Sequence, residues 1–209
     1  MTTRRSRLHD AAGITLLEVT LMMVVSTAII AGVAPTLSVT IRDAKLAGAT
    51  LYESQIVTAS NSAVGVAPAD TGCRKFTTNG KCNGTQVSLL VTDGDMPDAC
   101  VAVSGCGGGA TSWDRLVNGG IVDYLERHLV TNNMAGGSYS NLWRGAYLNA
   151  PIDPDPWGNR YMINAHYMND NPESVWVLSA GPDEMISTVF LGTWPVAAGG
   201  DDIITRVEQ

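Results

Sequence analysis

Apolar residues are concentrated near the N-terminus of this chain. From Val19 to Ile41 there are 23 residues without a charged side chain. Roughly 20 apolar residues are enough for a helix to cross the hydrocarbon core of a bilayer, so the pattern predicts a membrane-spanning helix. Glu18, directly before this run, is the one charged residue between Ile14 and Ile41. Because a carboxylate is costly in hydrocarbon, we expect Glu18 to have a functional partner.

The helical pattern continues beyond Pro35. Apolar or small residues recur at steps of three and four, as on one face of a helix. They are Leu37, Ile41, Ala44, Gly48 and Leu51. Charged residues, Glu53 among them, lie off this face. We predict one helix from Ile14 to about Ala63, bent at Pro35 because proline removes a backbone hydrogen bond, with its second half packed on a globular domain.

Beyond residue 64, Gly, Asn, Asp and Pro interrupt the apolar residues. Segment 65–120 is predicted to be loop-rich with a short strand at 85–92, and the spacing at 113–130 predicts a short helix. Segments 160–164 and 174–181 are predicted to pair as a β-hairpin. The predicted fold class is α+β. It consists of a long N-terminal helix (14–35 and its amphipathic continuation 36–64), a disulfide-containing insertion (65–120) and a small antiparallel sheet domain (121–209).

Four cysteines lie in the predicted insertion, and none has the short C-x2-4-C spacing of a structural zinc site. They are Cys73, Cys82, Cys100 and Cys106. Two disulfides in an oxidising compartment are favoured over a metal site or free thiols. Pairing of near neighbours is the simplest of the three connectivities, and all three remain open.

The charge of the chain argues against nucleic acid as a partner. It has 13 Lys and Arg against 20 Asp and Glu, for a formal net charge of −7. Phosphate binding needs clustered basic residues, and no basic stripe is visible. No G-x-S-x-G, P-loop or H-E-x-x-H motif occurs either, so the chain is not expected to be an enzyme.

The N-terminal residues resemble a known processing signal. Residues 1–13 are short and basic, and the apolar run follows them, which is the wrong order for a secretory signal peptide. The sequence GITLLEV, from Gly13 to Val19, resembles the class III signal of type IV pilins and pseudopilins. The resemblance implies that a prepilin peptidase removes 1–13 and methylates the new amine of Ile14. Glu18 would then neutralise that amine, on a neighbouring subunit or on its own chain, and set the register of packed helices.

The C-terminal part carries a second resemblance. The motif DPWGNRY at 155–161, followed by LSAGPD at 178–183 and DDI at 201–203, is similar to the major pseudopilin of the type II secretion system. Together the two resemblances cover residues 8–60 and about 145–205. In that family the last loop binds one calcium ion. Carried over, the ligands are the carboxylates of Asp183 and Asp202 and carbonyls near Leu178 and Ser179, with Asp201 and Glu184 in reserve.

The resemblance implies a structural role. We expect a subunit of a periplasmic pseudopilus that drives protein export, held in the inner membrane by a single helix with its C-terminal domain in the periplasm. Its expected partners are other copies of itself, the prepilin peptidase, minor pseudopilins, the inner-membrane assembly platform and membrane lipid. Two alternatives stay open: a type IV pilin or minor pilin for adhesion, motility or DNA uptake, and an anchored enzyme or binding protein that borrows the signal.

Overall fold

The computed structural model describes residues 15–66, 76–77, 85–97, 99–100, 113, 121–133, 143–168, 174–190 and 192–207. Five predicted site residues lie outside the described residues: Gly13, Ile14, Cys73, Cys82 and Cys106. Of Cys100 only the backbone is described, so the disulfides stay a prediction. The chain divides into two compact units, Met1–Ala44 and Lys45–Gln209.

One α-helix, α1, runs from Leu16 to Val66. It begins with a reciprocal capping box. The Thr15 backbone N–H donates to Glu18 Oε2 at 2.9 Å, and the Glu18 backbone N–H donates to Thr15 Oγ1 at 3.3 Å. Such a box satisfies backbone donors that have no partner within the helix. Pro35 lies inside α1, which confirms the prediction of one long helix through this proline; the bend there stays a prediction.

The buried face of the second half of α1 differs from the predicted one. The buried side chains on this part of the helix are Ala49, Glu53, Ile56, Ala59 and Ser60. The prediction placed Leu51 on the packed face and Glu53 off it, whereas Leu51 is 59% exposed and Glu53 is fully buried. The prediction was wrong at these two positions, whereas Gly48 of the predicted face does approach the sheet domain: a Cβ there would lie 3.7 Å from the Pro156 ring.

Short strands dominate the Lys45–Gln209 unit. In chain order the described strands are β1 Leu89–Val91, β2 Ala99–Cys100, β3 Val122–Tyr124, β4 Met162–Ile163, β5 Val175–Ser179, β6 Met185–Ile186 and β7 Ile203–Val207. A short helix, α2, covers Leu125–Leu129. Among the described residues, five strands form one sheet in the order β3-β1-β4-β5-β7, and β2 pairs separately with β6. The predicted hairpin is confirmed as the antiparallel pair β4–β5, with Met162 opposite Leu178.

The five-stranded sheet is mixed, which corrects the prediction of a purely antiparallel one. Strands β1 and β3 run parallel, with Leu89 opposite Val122, whereas β1–β4, β4–β5 and β5–β7 are antiparallel. Parallel neighbours need a long crossover connection rather than a tight turn. Here residues 92–121 separate the two strands in the chain. The local sequence pattern of each strand does not show that the two strands pair in parallel.

Segment 65–120, predicted to be an insertion, contributes to the sheet and the core. Its strand β1 lies between β3 and β4. Phe76, Val87 and Trp113 from this segment are buried together with Ile56 of α1 and Trp176 of β5. Fully burying one large apolar side chain contributes about 1.5–3 kcal/mol. The segment therefore helps to hold the unit together and is more than an appendage to it.

Candidate functional site

Glu18 is satisfied within its own chain at the start of α1. Besides the two backbone contacts of the capping box, the Thr15 hydroxyl donates to Glu18 Oε2 at 3.1 Å. The T-x-x-E spacing of Thr15 and Glu18 is the sequence pattern typical of a capping box. The interpretation of Glu18 as an assembly residue does not take this pattern into account. The carboxylate therefore has a local partner in the single chain, and its predicted contact with an Ile14 amine stays a prediction.

The first part of α1 exposes its apolar side chains. Leu16 is 84% exposed, and Met22 and Ile30 are each 65% exposed. An 18-residue window of this helix has a mean hydropathy of 2.1, and none of the window is buried within the protein. By length and composition the helix is able to cross a membrane. Removing apolar surface from water contributes about 25 cal/mol per Å². Covering this surface with lipid or with other helices would therefore be favourable.

The motif at 155–161 is a tight turn organised by Asp155. Its Oδ1 accepts the backbone N–H groups of Trp157 at 3.0 Å and Asn159 at 2.9 Å. Its Oδ2 accepts the Ser179 hydroxyl at 2.6 Å, which fastens the turn to the end of β5. Gly158 has φ +101°, a conformation that glycine adopts without strain. The motif therefore needs aspartate for its acceptors and glycine for its backbone.

The same turn packs against the second half of α1. The Lys45 ammonium lies 5.9 Å from the centre of the Trp157 ring. The rings of Tyr52 and Tyr161 have their centres 6.4 Å apart. Together with the approach of Gly48 to Pro156, these contacts place the motif between helix and sheet. Its role in the described structure is to join the two.

Glu53 is the most unusual residue at the contact between the second half of α1 and the sheet. It is fully buried, and its Oε2 accepts the hydroxyl of Thr205 on β7 at 2.6 Å, while Oε1 has no hydrogen-bond partner among the described residues. Burial raises the pKa of the Glu53 carboxyl to about 8, the hydrogen bonds from the Thr205 hydroxyl and the Ser179 backbone oppose this rise, and the nearby Asp155 adds to it. The carboxyl is therefore largely protonated at neutral pH. No pattern in the sequence marks Glu53, because its partner lies 152 residues away.

The acidic last loop brings two predicted ligands together. Asp202 is 7% exposed, and its Oδ2 accepts the backbone N–H groups of Ser187 at 2.9 Å and Thr188 at 2.6 Å. Burial raises the pKa of Asp202, hydrogen bonds from Thr188 and Ser187 oppose the rise, and the carboxylate of Asp183 adds to it. Asp183 is exposed, and its Oδ1 accepts the Met185 N–H at 3.0 Å.

The remaining predicted ligands differ in their place in the fold and in their exposure. Leu178 and Ser179 are the last two residues of β5, just before the 3-10 turn Gly181–Asp183. The Asp201 side chain is exposed, and its backbone carbonyl packs directly on Gly181. Glu184 adopts a left-handed conformation with φ 59°.

The donor set of the last loop suits a hard cation. Asp202 Oδ1 is buried and has no hydrogen-bond partner among the described residues, so one anionic oxygen is left for a ligand. Calcium takes six to eight oxygen ligands from carboxylates and carbonyls, and two carboxylates with nearby carbonyls are of that kind. No cluster of three or more His, Cys, Asp or Glu side chains with metal-binding geometry occurs in the described part of the chain. Backbone carbonyls or water would have to complete the shell.

Comparison with protein-family models, with curated proteins and with solved structures finds no match to this chain. The resemblance to pseudopilins therefore rests on three motifs: 13–19, 155–161 and the acidic loop. Of these, the structure describes 15–19, the complete turn at 155–161 and most of the acidic loop.

Proposed function

We propose that this chain is a structural subunit of a filament of the pseudopilin type, anchored in the inner membrane by the first part of α1. The Lys45–Gln209 unit would lie on the periplasmic side, and the filament would serve a type II secretion system. The observation that carries the proposal is the long apolar helix, which has no internal packing along its apolar window and begins within the sequence GITLLE at 13–18. A helix of this kind is stabilised by lipid before assembly and by neighbouring helices after it.

Glu18 would set the register of the assembled helices. In an apolar bundle a single charge is costly, whereas an acid paired with an amine is tolerated, so the pair is favoured at one axial offset only. In the single chain, Thr15 supplies the hydrogen bonds that make the carboxylate tolerable until an amine replaces or shares them. The proposal therefore assigns Glu18 two successive partners.

The acidic loop would bind one calcium ion. Asp202 and Asp183 would hold it through their carboxylates, with Asp201 and the carbonyls of Leu178 and Ser179 as further donors. A bound cation supplies positive charge that relieves the repulsion between two neighbouring carboxylates. In a filament, a loop ordered in this way presents a defined surface to the next subunit.

The test of assembly separates the charge of Glu18 from its capping role. In cells that contain a prepilin peptidase and the secretion assembly proteins, we expect the mature chain to begin at methylated Ile14, and Glu18→Gln to be processed and inserted without forming filaments. Glutamine still caps the Thr15 N–H but has no charge. The matched variant Thr15→Ala removes the capping hydroxyl, keeps the charge, and should still assemble.

The opposite pattern would refute the register role. Filaments of normal yield from Glu18→Gln, with loss of filaments in Thr15→Ala, would mean that Glu18 acts only as a helix cap. A mature chain that still begins at Met1 would refute the filament subunit itself. Filaments that extend and retract at the cell surface, without any effect on protein export, would point to the type IV pilin alternative.

A further inference from the structure

Segment 65–120 contacts the acidic loop at two described places. Strand β2 pairs with β6 in parallel, with Ala99 opposite Met185 and Cys100 opposite Ile186. Trp113, fully buried, packs edge-on against Phe190 with ring centres 4.8 Å apart. This segment therefore borders the loop that carries the proposed cation ligands.

Thr188 connects Trp113 to the acidic loop through hydrogen bonds. The Trp113 indole N–H donates to the Thr188 carbonyl at 2.9 Å. The Thr188 backbone N–H donates to Asp202 Oδ2 at 2.6 Å, and its hydroxyl accepts the Gly199 N–H at 2.9 Å. One buried residue thus connects Trp113 to the carboxylate whose other oxygen has no hydrogen-bond partner in the described structure.

We propose that Trp113 is a positioning residue for the acidic loop: through Thr188 it fixes the Asp202 carboxylate, with Oδ2 held by backbone amides and Oδ1 left for a divalent cation. Fixing a ligand in advance lowers the entropy lost on binding, so cation affinity depends on a side chain that does not touch the cation. The cation part of this inference rests on the proposed function, whereas the positioning of Asp202 does not.

The chain offers a matched control for the indole hydrogen bond. Trp176 on β5 is also fully buried, but its indole N–H has no hydrogen-bond partner among the described residues. Trp113→Phe and Trp176→Phe remove the same atoms from the core. Only Trp113→Phe also removes a hydrogen bond, and it leaves the Thr188 carbonyl buried without that donor.

The experiment uses the full chain in detergent micelles and measures two quantities. Amide hydrogen exchange at Ser187 and Thr188, measured without calcium, reports how firmly their N–H groups are held by Asp202. Calorimetric titration with Ca²⁺ gives the dissociation constant. Since one net hydrogen bond corresponds to a factor of about five in an equilibrium constant, Trp113→Phe should accelerate both exchange rates and raise the dissociation constant by roughly that factor. Trp176→Phe should change neither by more than about twofold beyond its effect on global stability.

Several results would overturn the inference. Unchanged exchange at Ser187 and Thr188 in Trp113→Phe, or equal acceleration in Trp176→Phe, would mean that Trp113 only fills the core. A wild-type chain that fails to bind Ca²⁺ would refute the cation site, and the exchange result would still decide the positioning. If Trp113→Phe does not fold, wild-type exchange decides: the Trp113 indole N–H should be as protected as the Thr188 amide, and rapid exchange would refute the contact.

Discussion

Replacing Glu53 by glutamine is the sharpest test of the buried contact between α1 and the sheet. Glu53 is fully buried on α1 and accepts a hydrogen bond from Thr205 on β7. Glutamine has nearly the same shape, keeps an oxygen that accepts from Thr205, and carries no titratable proton. The substitution therefore removes the ionisation of this carboxyl with little change in packing.

The magnitude follows from the pKa of the buried carboxyl. Burial raises the pKa of Glu53 from its ordinary value of 4.5 to about 8. A raised folded-state pKa means that the folded chain binds the proton more tightly than the unfolded chain. Its stabilising contribution is complete below about pH 4.5 and is lost as pH rises through about 8. Within that window the unfolding free energy falls by at most about 1.4 kcal/mol per pH unit, or about 2.5 kcal/mol between pH 5.5 and 7.5.

The assay is denaturant unfolding of the full chain in detergent at several pH values. Wild type should lose stability steadily from pH 5.5 to 8, and Glu53→Gln should lose much less over the same range. The exposed carboxylate Asp153 provides the control, since Asp153→Asn should leave the wild-type slope in place. Equal slopes in wild type and Glu53→Gln would show that this carboxyl titrates as an ordinary one and would refute the reasoning.

Three further predictions concern the acidic loop. Gly181→Ala should destabilise the chain by roughly 2–4 kcal/mol in thermal unfolding, because its Cβ would overlap the Asp201 carbonyl and φ is +71°; a loss below about 0.5 kcal/mol would contradict that packing. Glu184→Gly should be neutral or stabilise by up to about 1 kcal/mol, because glycine tolerates φ 59°; a marked loss would mean that the Glu184 side chain has a role. Calcium at 100 times its dissociation constant should stabilise wild type by about 2.7 kcal/mol and leave Asp202→Asn nearly unchanged; an equal shift in both would remove Asp202 from the site.

Local features of the structure could be predicted from the sequence. The long helix follows from a continuous apolar run and a three-to-four spacing, and the β4–β5 hairpin follows from two strand-forming segments separated by a short polar stretch. The 155–161 turn is readable from its Pro, Asp and Gly residues. In each case the interactions that decide the structure lie close together in the chain.

Long-range pairings could not be predicted. The parallel pairing of β1 with β3 depends on a crossover of about 30 residues, and β7 finds its place beside β5 only in the folded unit. The burial of Glu53 depends on Thr205, and that of Trp113 on Thr188 and Phe190. A sequence pattern assigns charged residues to the surface, and only the distant partner shows why Glu53 is an exception.

The contact between Glu53 and Thr205 has a consequence for biogenesis. The ribosome makes α1 long before it makes β7, so a nascent chain has its apolar segment available for membrane insertion while Glu53 still has no partner. The globular unit is completed only when the strand around Thr205 emerges, 152 residues later. If α1 enters a membrane as proposed, the order of synthesis favours its insertion first and closure of the globular unit afterwards.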